Sequence, residues 1–461
     1  MFLTVLLFFS VTMKGEDTYM YRLYLTDKGE SPFSLENPEK FLSAKAIERR
    51  MKQGYLVDVS DLPYDPSYLD AIRQTEAGIR TYSKWVNTVV VHVSNLSVLD
   101  GLTQLPFVDS LTCVWKGDLS TLKSGWNEPD IETPEFFSNT DTCGMTFTQI
   151  AINNGHYLHK LGYFGAGISI AVIDGGFLHA DKLSFFDQAR IKEVRNFNHE
   201  NSDPLKTDSD HGTRVLSCML GYAPKEFIGT APKADYYLFK TEVTNEEYPV
   251  EEDYWIAALE YADSVGVDIV TTSLGYVTFD DSEMNHTFLQ LDGQTVPASR
   301  AASIAVSKGL LLLNSAGNEG NNAWQKIMVP TDGANILTVG SVDKDLKVSS
   351  FSSRGHTADG RIKPDLMAMG SRTAIINSDG RFIYSNGTSY STPIIAGLTA
   401  CLWEAFPECT NKEIMQALRE TASLSNDPTP EMGYGIADLL KAYLLLGKNN
   451  PGYDLSSFIK M

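Results

Sequence analysis

The segment Ile394-Ile395-Ala396-Gly397-Leu398-Thr399-Ala400-Cys401-Leu402-Trp403 is almost wholly apolar. A helix that is apolar on every side has no face to give to water and belongs inside the core of a large domain. Just ahead of it stands Asn386-Gly387-Thr388-Ser389-Tyr390-Ser391-Thr392-Pro393. The pattern predicts a helix that starts near Ser389, with Pro393 in its first turn, where a missing N–H is tolerated. At such a start the backbone N–H groups are unpaired and the helix dipole favours negative charge. A serine hydroxyl there can cap the turn, or it can attack a carbonyl while its own N–H helps hold the oxyanion that forms.

Three other stretches decide between those roles. Ile168-Ser169-Ile170-Ala171-Val172-Ile173-Asp174-Gly175-Gly176 reads as a buried parallel strand with Asp174 at its carboxyl end, where open α/β sheets place functional groups. His211-Gly212-Thr213 opens a second mostly apolar helix, and Leu310-Leu311-Leu312-Leu313 runs into the polar turn Asn314-Ser315-Ala316-Gly317-Asn318-Glu319-Gly320. Each has a purely structural reading as a strand end, helix start or turn. Together they supply a complete chemistry. Neutral imidazole takes the serine proton near pH 7, a buried carboxylate fixes the ring tautomer, and an asparagine amide can donate to the developing oxyanion.

These four blocks, in this order, resemble those of the subtilisin-like serine proteases over roughly residues 146–447. Thr272-Ser273-Leu274-Gly275, Phe351-Ser352-Ser353-Arg354-Gly355, the stretch from Asp359 to Asp365, and Gly433-Tyr434-Gly435 agree with the same family. The resemblance implies Ser389 as nucleophile, His211 as general base, Asp174 as its orienting partner and Asn318 in the oxyanion hole. It implies protein or peptide substrates. Ser273-Leu274-Gly275 would pair with an extended peptide, and Ala316, Gly317, Glu319 and Met328 would border the primary pocket. Glu319 suits a basic side chain and Met328 a large apolar one, so no narrow specificity follows. Arg214 stands where the family usually has a second histidine, and His356 and Met369 replace common prolines, without removing a catalytic group.

Ahead of this region, residues 17–117 read as a small α+β unit. Tyr19 to Leu25, Trp85 to Val93 and Val108 to Trp115 are predicted strands. Asn37-Pro38 and Asp65-Pro66 are predicted to open helices closed by Gly54 and Gly78. In front of a subtilisin-like domain, this unit resembles the family's removable prosegments, which assist folding and inhibit the enzyme from within the same chain. Residues 118–145 form the expected linker and cleavage region, and 448–461 the expected tail. Within 146–447, alternating strand and helix patterns predict a mainly parallel sheet with helices on both faces. The polar stretch from Tyr276 to Val296 is the expected insertion near the cleft.

With 38 basic and 58 acidic residues, the net charge of −20 argues against nucleic-acid binding and for solubility outside the cell. Phe2 to Met13 is apolar but shorter than the ~20 residues a membrane span needs, so residues 1–16 read as a secretory signal. Secretion or a cell-envelope (periplasmic) location is the expectation, with no stable membrane span. The five cysteines show no metal-ligand spacing, and Cys401 with Cys409 is the pairing worth testing. No metal is expected for catalysis. Structural calcium is common in the family, but no ligand loop is assignable. A lipase is excluded because Ser389 lacks a Gly-x-Ser-x-Gly elbow and follows its acid and histidine. A catalytically silent relative that binds rather than cleaves is the remaining rival.

Overall fold

The structure is a computed structural model that describes residues 18–117, 143–187, 190–198, 202–207, 209–243 and 246–449. The predicted signal segment, nearly all of the predicted linker and most of the tail lie outside the described residues.

The N-terminal unit is the predicted α+β sandwich. Strands β1 (Thr18–Leu25), β2 (Gly78–Ser83), β3 (Thr88–Val93) and β4 (Val108–Gly117) form an antiparallel sheet in the order β2-β3-β1-β4. Helices α1 (Ala44–Gln53), α2 (Pro66–Gln74) and α3 (Val98–Thr103) accompany it. Two helix boundaries differ from expectation. Asn37-Pro38 opens only a 3-10 turn, and α1 starts after Ser43, whose hydroxyl accepts from Ala46 N–H. Gly54 does close α1, with φ at 74°. Gly78 does not close α2; it begins β2, because α2 already ends at Thr75. Trp85 to Asn87 form the β2–β3 turn, with Asn87 at φ 54°, rather than the start of a strand.

The larger unit is built on a seven-stranded sheet of β5 (Ser169–Asp174), β6 (Arg190–Asn196), β7 (Asp235–Lys240), β8 (Ile269–Thr272), β9 (Leu311–Ser315), β10 (Leu337–Val342) and β11 (Leu366–Met369). Its order is β11-β10-β9-β8-β5-β7-β6, and every adjacent pair is parallel. Strands β5, β8 and β9 are buried at every position, as a sheet covered on both faces requires. The flanking helices include α4 (His211–Leu220), α5 (Val250–Val265), α6 (Pro297–Ser307) and α7 (Thr388–Ala405). Every residue of α7 is buried except Glu404, which accepts backbone N–H groups of Phe164, Gly165 and Ala166. Chain order reverses between β5 and β8, so the carboxyl ends of these strands flank a crevice where open α/β sheets bind ligands.

The two units meet along α5 through buried charges. The Arg22 guanidinium lies 2.7 Å from Asp253 and 3.2 Å from Glu252, and also donates to the Pro249 carbonyl. Arg49 and Arg50 both pair with Asp263, and Lys308 lies 2.7 Å from Asp58 and 3.0 Å from Asp61. Gly266, at φ 86°, leaves room for this contact: a Cβ there would stand 2.7 Å from the backbone nitrogen of Ala46. Met20, Val90, Val114 and Trp115 pack against Val250 and Tyr254 beside these pairs.

Candidate active site

Parallel pairing sets the strand ends level with one another. Asp174 is opposite Lys240, and Thr272 lies between Ile173 and Asn314. The segments leaving β7, β5, β8 and β9 therefore open into one cleft of about 480 Å³, which also receives the starts of α4 and α7.

Glycines allow the close approach that brings Asp174 to His211. A Cβ on Gly176 would stand 2.2 Å from Thr207 Cγ2, and one on Gly212 would stand 2.4 Å from the Gly176 carbonyl. The Gly212 N–H donates to that carbonyl at 2.9 Å, which ties the first turn of α4 to the turn after β5. His211 Nδ1 then lies 2.7 Å from Asp174 Oδ1, which also accepts the Gly175 N–H at 2.8 Å. A carboxylate oxygen only accepts, so Nδ1 carries the ring proton and Nε2 of the neutral ring is the basic nitrogen. Asp174 is fully buried, and His211 and Ser389 are each 7% exposed.

Ser389 is the second residue of α7, so its N–H is among those without an intrahelical acceptor. Pro393 does not fall in the first turn as expected; it is inside the helix, because α7 already begins at Thr388. A proline there cannot donate to the carbonyl four residues earlier, which is that of Ser389. The Ser273 hydroxyl takes that place, donating to the Ser389 carbonyl at 2.9 Å. Ser273 thus braces the serine turn, a role that the sequence of either segment alone did not reveal.

Asn318 is exposed, and its orientation is fixed. Its side-chain oxygen accepts from both the N–H and the hydroxyl of Thr388, each at 3.0 Å. The amide nitrogen is therefore the group left to face the serine turn, and it lies 3.7 Å from where a Gly387 Cβ would sit. Leu274, Gly275, Gly317, Glu319 and Met328 all line the cleft with Ser273. Met328 touches both sides of the expected primary pocket: its side chain lies within 3.0 Å of Cβ positions built on Gly275 and Gly317. Ala316 does not line the cleft; it is fully buried, with its N–H on the Val339 carbonyl. The insertion after Tyr276 reaches the cleft through Thr278, Phe279 and Asp280.

Sequence reasoning missed the acidic wall. Glu242, Glu246, Glu247 and Glu251, between the end of β7 and the first turn of α5, line the same cleft. Oxygens of Glu242, Glu247 and Glu251 all lie within 4.8 Å of one another. Burial, and then the neighbouring Asp174, push Glu242 up to about 7. Burial, then Glu242 and Asp280, push Glu247 up to about 9. The five cysteines form no disulfide, and the Cys401 thiol donates to the Thr230 carbonyl rather than pairing with Cys409.

A parallel α/β sheet carrying an acid, a histidine and a helix-start serine at its strand ends defines a narrow class of protein. Residues 165–436 match the subtilase family, and residues 20–127 match the peptidase S8 propeptide domain of Bacteroidota. The chain belongs to the subtilase family and carries an S8 propeptide domain ahead of the main unit. It is 28% identical over 308 residues to the subtilisin-like protease SBT6.1 of Arabidopsis thaliana, covering 64% of this chain and 27% of that one. It is also 28% identical over 268 residues to subtilisin E of Bacillus subtilis, covering 58% of this chain and 63% of that one. The chain thus spans about a quarter of the plant relative and under two thirds of the bacterial one. Among solved structures, the epidermin leader peptide processing serine protease of Staphylococcus aureus superposes with a TM-score of 0.63 at 15% identity, over 93% of this chain and 99% of that one. Among the described residues, no helix is long and apolar enough to cross a membrane.

Proposed function

We propose that this chain is the precursor of a secreted serine endopeptidase. His211 Nε2 takes the Ser389 hydroxyl proton as Oγ attacks the peptide carbonyl carbon. The oxyanion forms against the Ser389 N–H and the Asn318 amide, and Asp174 stabilises the imidazolium. The imidazolium then gives its proton to the leaving amine, and an ester joins substrate to Ser389. Water attacks that ester with His211 again as base, which releases the acid and restores the serine. The substrate backbone lies along Ser273-Leu274-Gly275, with its primary side chain between Gly275 and Gly317 above Met328. No metal takes part in these steps.

The observation that supports this most is the buried 2.7 Å contact between His211 and Asp174, in the cleft that holds Ser389 and a pre-oriented Asn318. The propeptide domain acts as an intramolecular inhibitor and is removed by cleavage within the linker region, residues 118–145. The apolar N-terminus directs export. Expression of the full chain with and without Ser389→Ala tests the reading. The unaltered chain is expected to lose its N-terminal unit and hydrolyse peptides, while the variant stays full length and inert. Equal processing of both would assign prosegment removal to another protease. A folded, unaltered chain that stays intact and inert would refute the peptidase reading.

A further inference from the structure

Asn318 stands in a turn that needs support from outside itself. It follows Gly317, whose φ of 103° only glycine adopts readily, and Asn318 itself is exposed. Thr388 fixes which end of the amide faces the serine turn, but it reaches only the side-chain oxygen. A donor to an oxyanion has to stand about 2.7–3.1 Å from the place where the charge forms. The main chain that carries Asn318 must therefore be held as firmly as the amide.

That support comes from Phe351-Ser352-Ser353-Arg354, which lies along the turn as a strap. The Ser353 N–H donates to the Gly317 carbonyl at 3.0 Å, and the Ser353 hydroxyl oxygen accepts the Glu319 N–H at 3.0 Å. One residue thus grips the chain on both sides of Asn318. The next residue of the turn is held too. The Gly320 N–H donates to the Phe351 carbonyl at 2.7 Å, and the Arg354 guanidinium donates to the Gly320 carbonyl at 3.2 Å. The strap is anchored in turn: the Arg354 N–H donates to the Gln325 carbonyl, and the Arg354 carbonyl accepts the Ile327 N–H, both at 2.9 Å. Ser353 is fully buried. A Cβ on Gly317 would stand 2.8 Å from Ser353 Oγ and 2.7 Å from the Met328 sulfur, so the turn is packed tightly against both.

We infer that Ser353 is a positioning residue for the oxyanion donor. Its hydroxyl holds the main chain at Glu319 and so sets where the Asn318 amide meets the developing charge. The inference rests on the peptidase reading. Ser353 does not line the cleft, so it acts through Asn318 rather than on the substrate. The oxyanion exists in the transition state and not in the bound substrate. A displaced amide therefore lowers kcat and leaves KM as it was.

A double-mutant cycle separates this role from general support of the fold. The full chain is used after loss of its N-terminal unit, with kcat and KM measured on one peptide. The four proteins are the unaltered chain, Ser353→Ala, Asn318→Ala and the double variant. A single neutral hydrogen bond sets the scale, so Ser353→Ala is expected to lower kcat about 3- to 10-fold with KM unchanged. In the Asn318→Ala background the same substitution should change kcat by less than about twofold, because the group it positions is gone. Ser353→Cys keeps the shape with a weaker acceptor and should fall between serine and alanine. It carries the same cycle if the alanine variant fails to fold. An equal loss in both backgrounds, a rise in KM with kcat unchanged, or no loss from either substitution would overturn the inference and leave the peptidase reading standing. A folded, unaltered chain that hydrolyses no peptide would overturn the peptidase reading, and this inference with it.

Discussion

Arg22→Ala is predicted to loosen the prosegment drastically, and the structure sets the scale. The guanidinium is 4% exposed and donates to both oxygens of Asp253, to Glu252 and to the Pro249 carbonyl. Burial alone would pull the group down, but Asp253, Tyr24 and Glu252 hold it well above the ordinary arginine range. Truncation leaves the buried Asp253 carboxylate without its donor, while Glu252 keeps His286 and the Pro249 carbonyl keeps the Glu252 N–H. Breaking a buried ion pair in this way costs about 3–5 kcal/mol, or a weakening of about 100- to 5000-fold at ~1.4 kcal/mol per tenfold. The assay is dilution of the cleaved but still associated enzyme, followed by recovery of peptide hydrolysis as the inhibitor dissociates. The variant should recover after a dilution smaller by that ratio, that is, at correspondingly higher concentrations. Arg22→Lys should fall between, because an ammonium cannot reproduce the fork on Asp253. A shift under about fivefold, the size expected of an exposed pair, would refute the claim that this buried cluster holds the prosegment in place.

Other outcomes follow from the same geometry. Ser273→Ala orphans the Ser389 carbonyl and should cost about 1–3 kcal/mol of stability, with a fall in kcat. The double variant with Pro393→Ala regains an N–H for that carbonyl and should recover part of both, which thermal unfolding and initial rates would show. Asn318→Ala should lower kcat by about 100- to 1000-fold with little change in KM, a magnitude taken from the subtilisin family itself. Asp61 gives a pH signature. Burial would raise it, but Arg50 and Lys308 bring it down to about 2, below the ~3.9 of an unfolded aspartate. The stabilisation it confers is therefore present above about pH 4 and lost as pH falls through about 2. Denaturant titrations of the Ser389→Ala chain between these limits should show the loss, and Asp61→Asn should flatten it.

How legible the molecule was in its sequence depended on how local each signal was. Asp174, His211 and Ser389 stand at strand ends and helix starts, and short apolar runs beside glycines mark such places without any knowledge of the fold. Parallel pairing then brings those ends together, so the candidate site was readable as a list of residues. The parts that were not readable needed long-range contacts. Pro393 looks like a first-turn proline until the helix is seen to start at Thr388, and its missing donor matters only because Ser273 arrives from another strand. Gly78 looks like a helix stop, but α2 ends at Thr75 and the glycine begins a strand. Glu246, Glu247 and Glu251 read as an ordinary acidic, solvated helix start, since the dipole favours acids there. Only the placement of these residues along the cleft, opposite Asp280, gathers them into a largely half-buried wall.

The central claim is that Ser389 is an activated nucleophile. Incubation of the purified, processed chain with a fluorophosphonate, followed by peptide mass mapping, tests it most directly. The account predicts a single adduct on the peptide carrying Ser389, formed rapidly in the unaltered protein and lost or slowed by orders of magnitude in His211→Ala. A folded protein that stays unlabelled, or whose label maps to another residue, would contradict it.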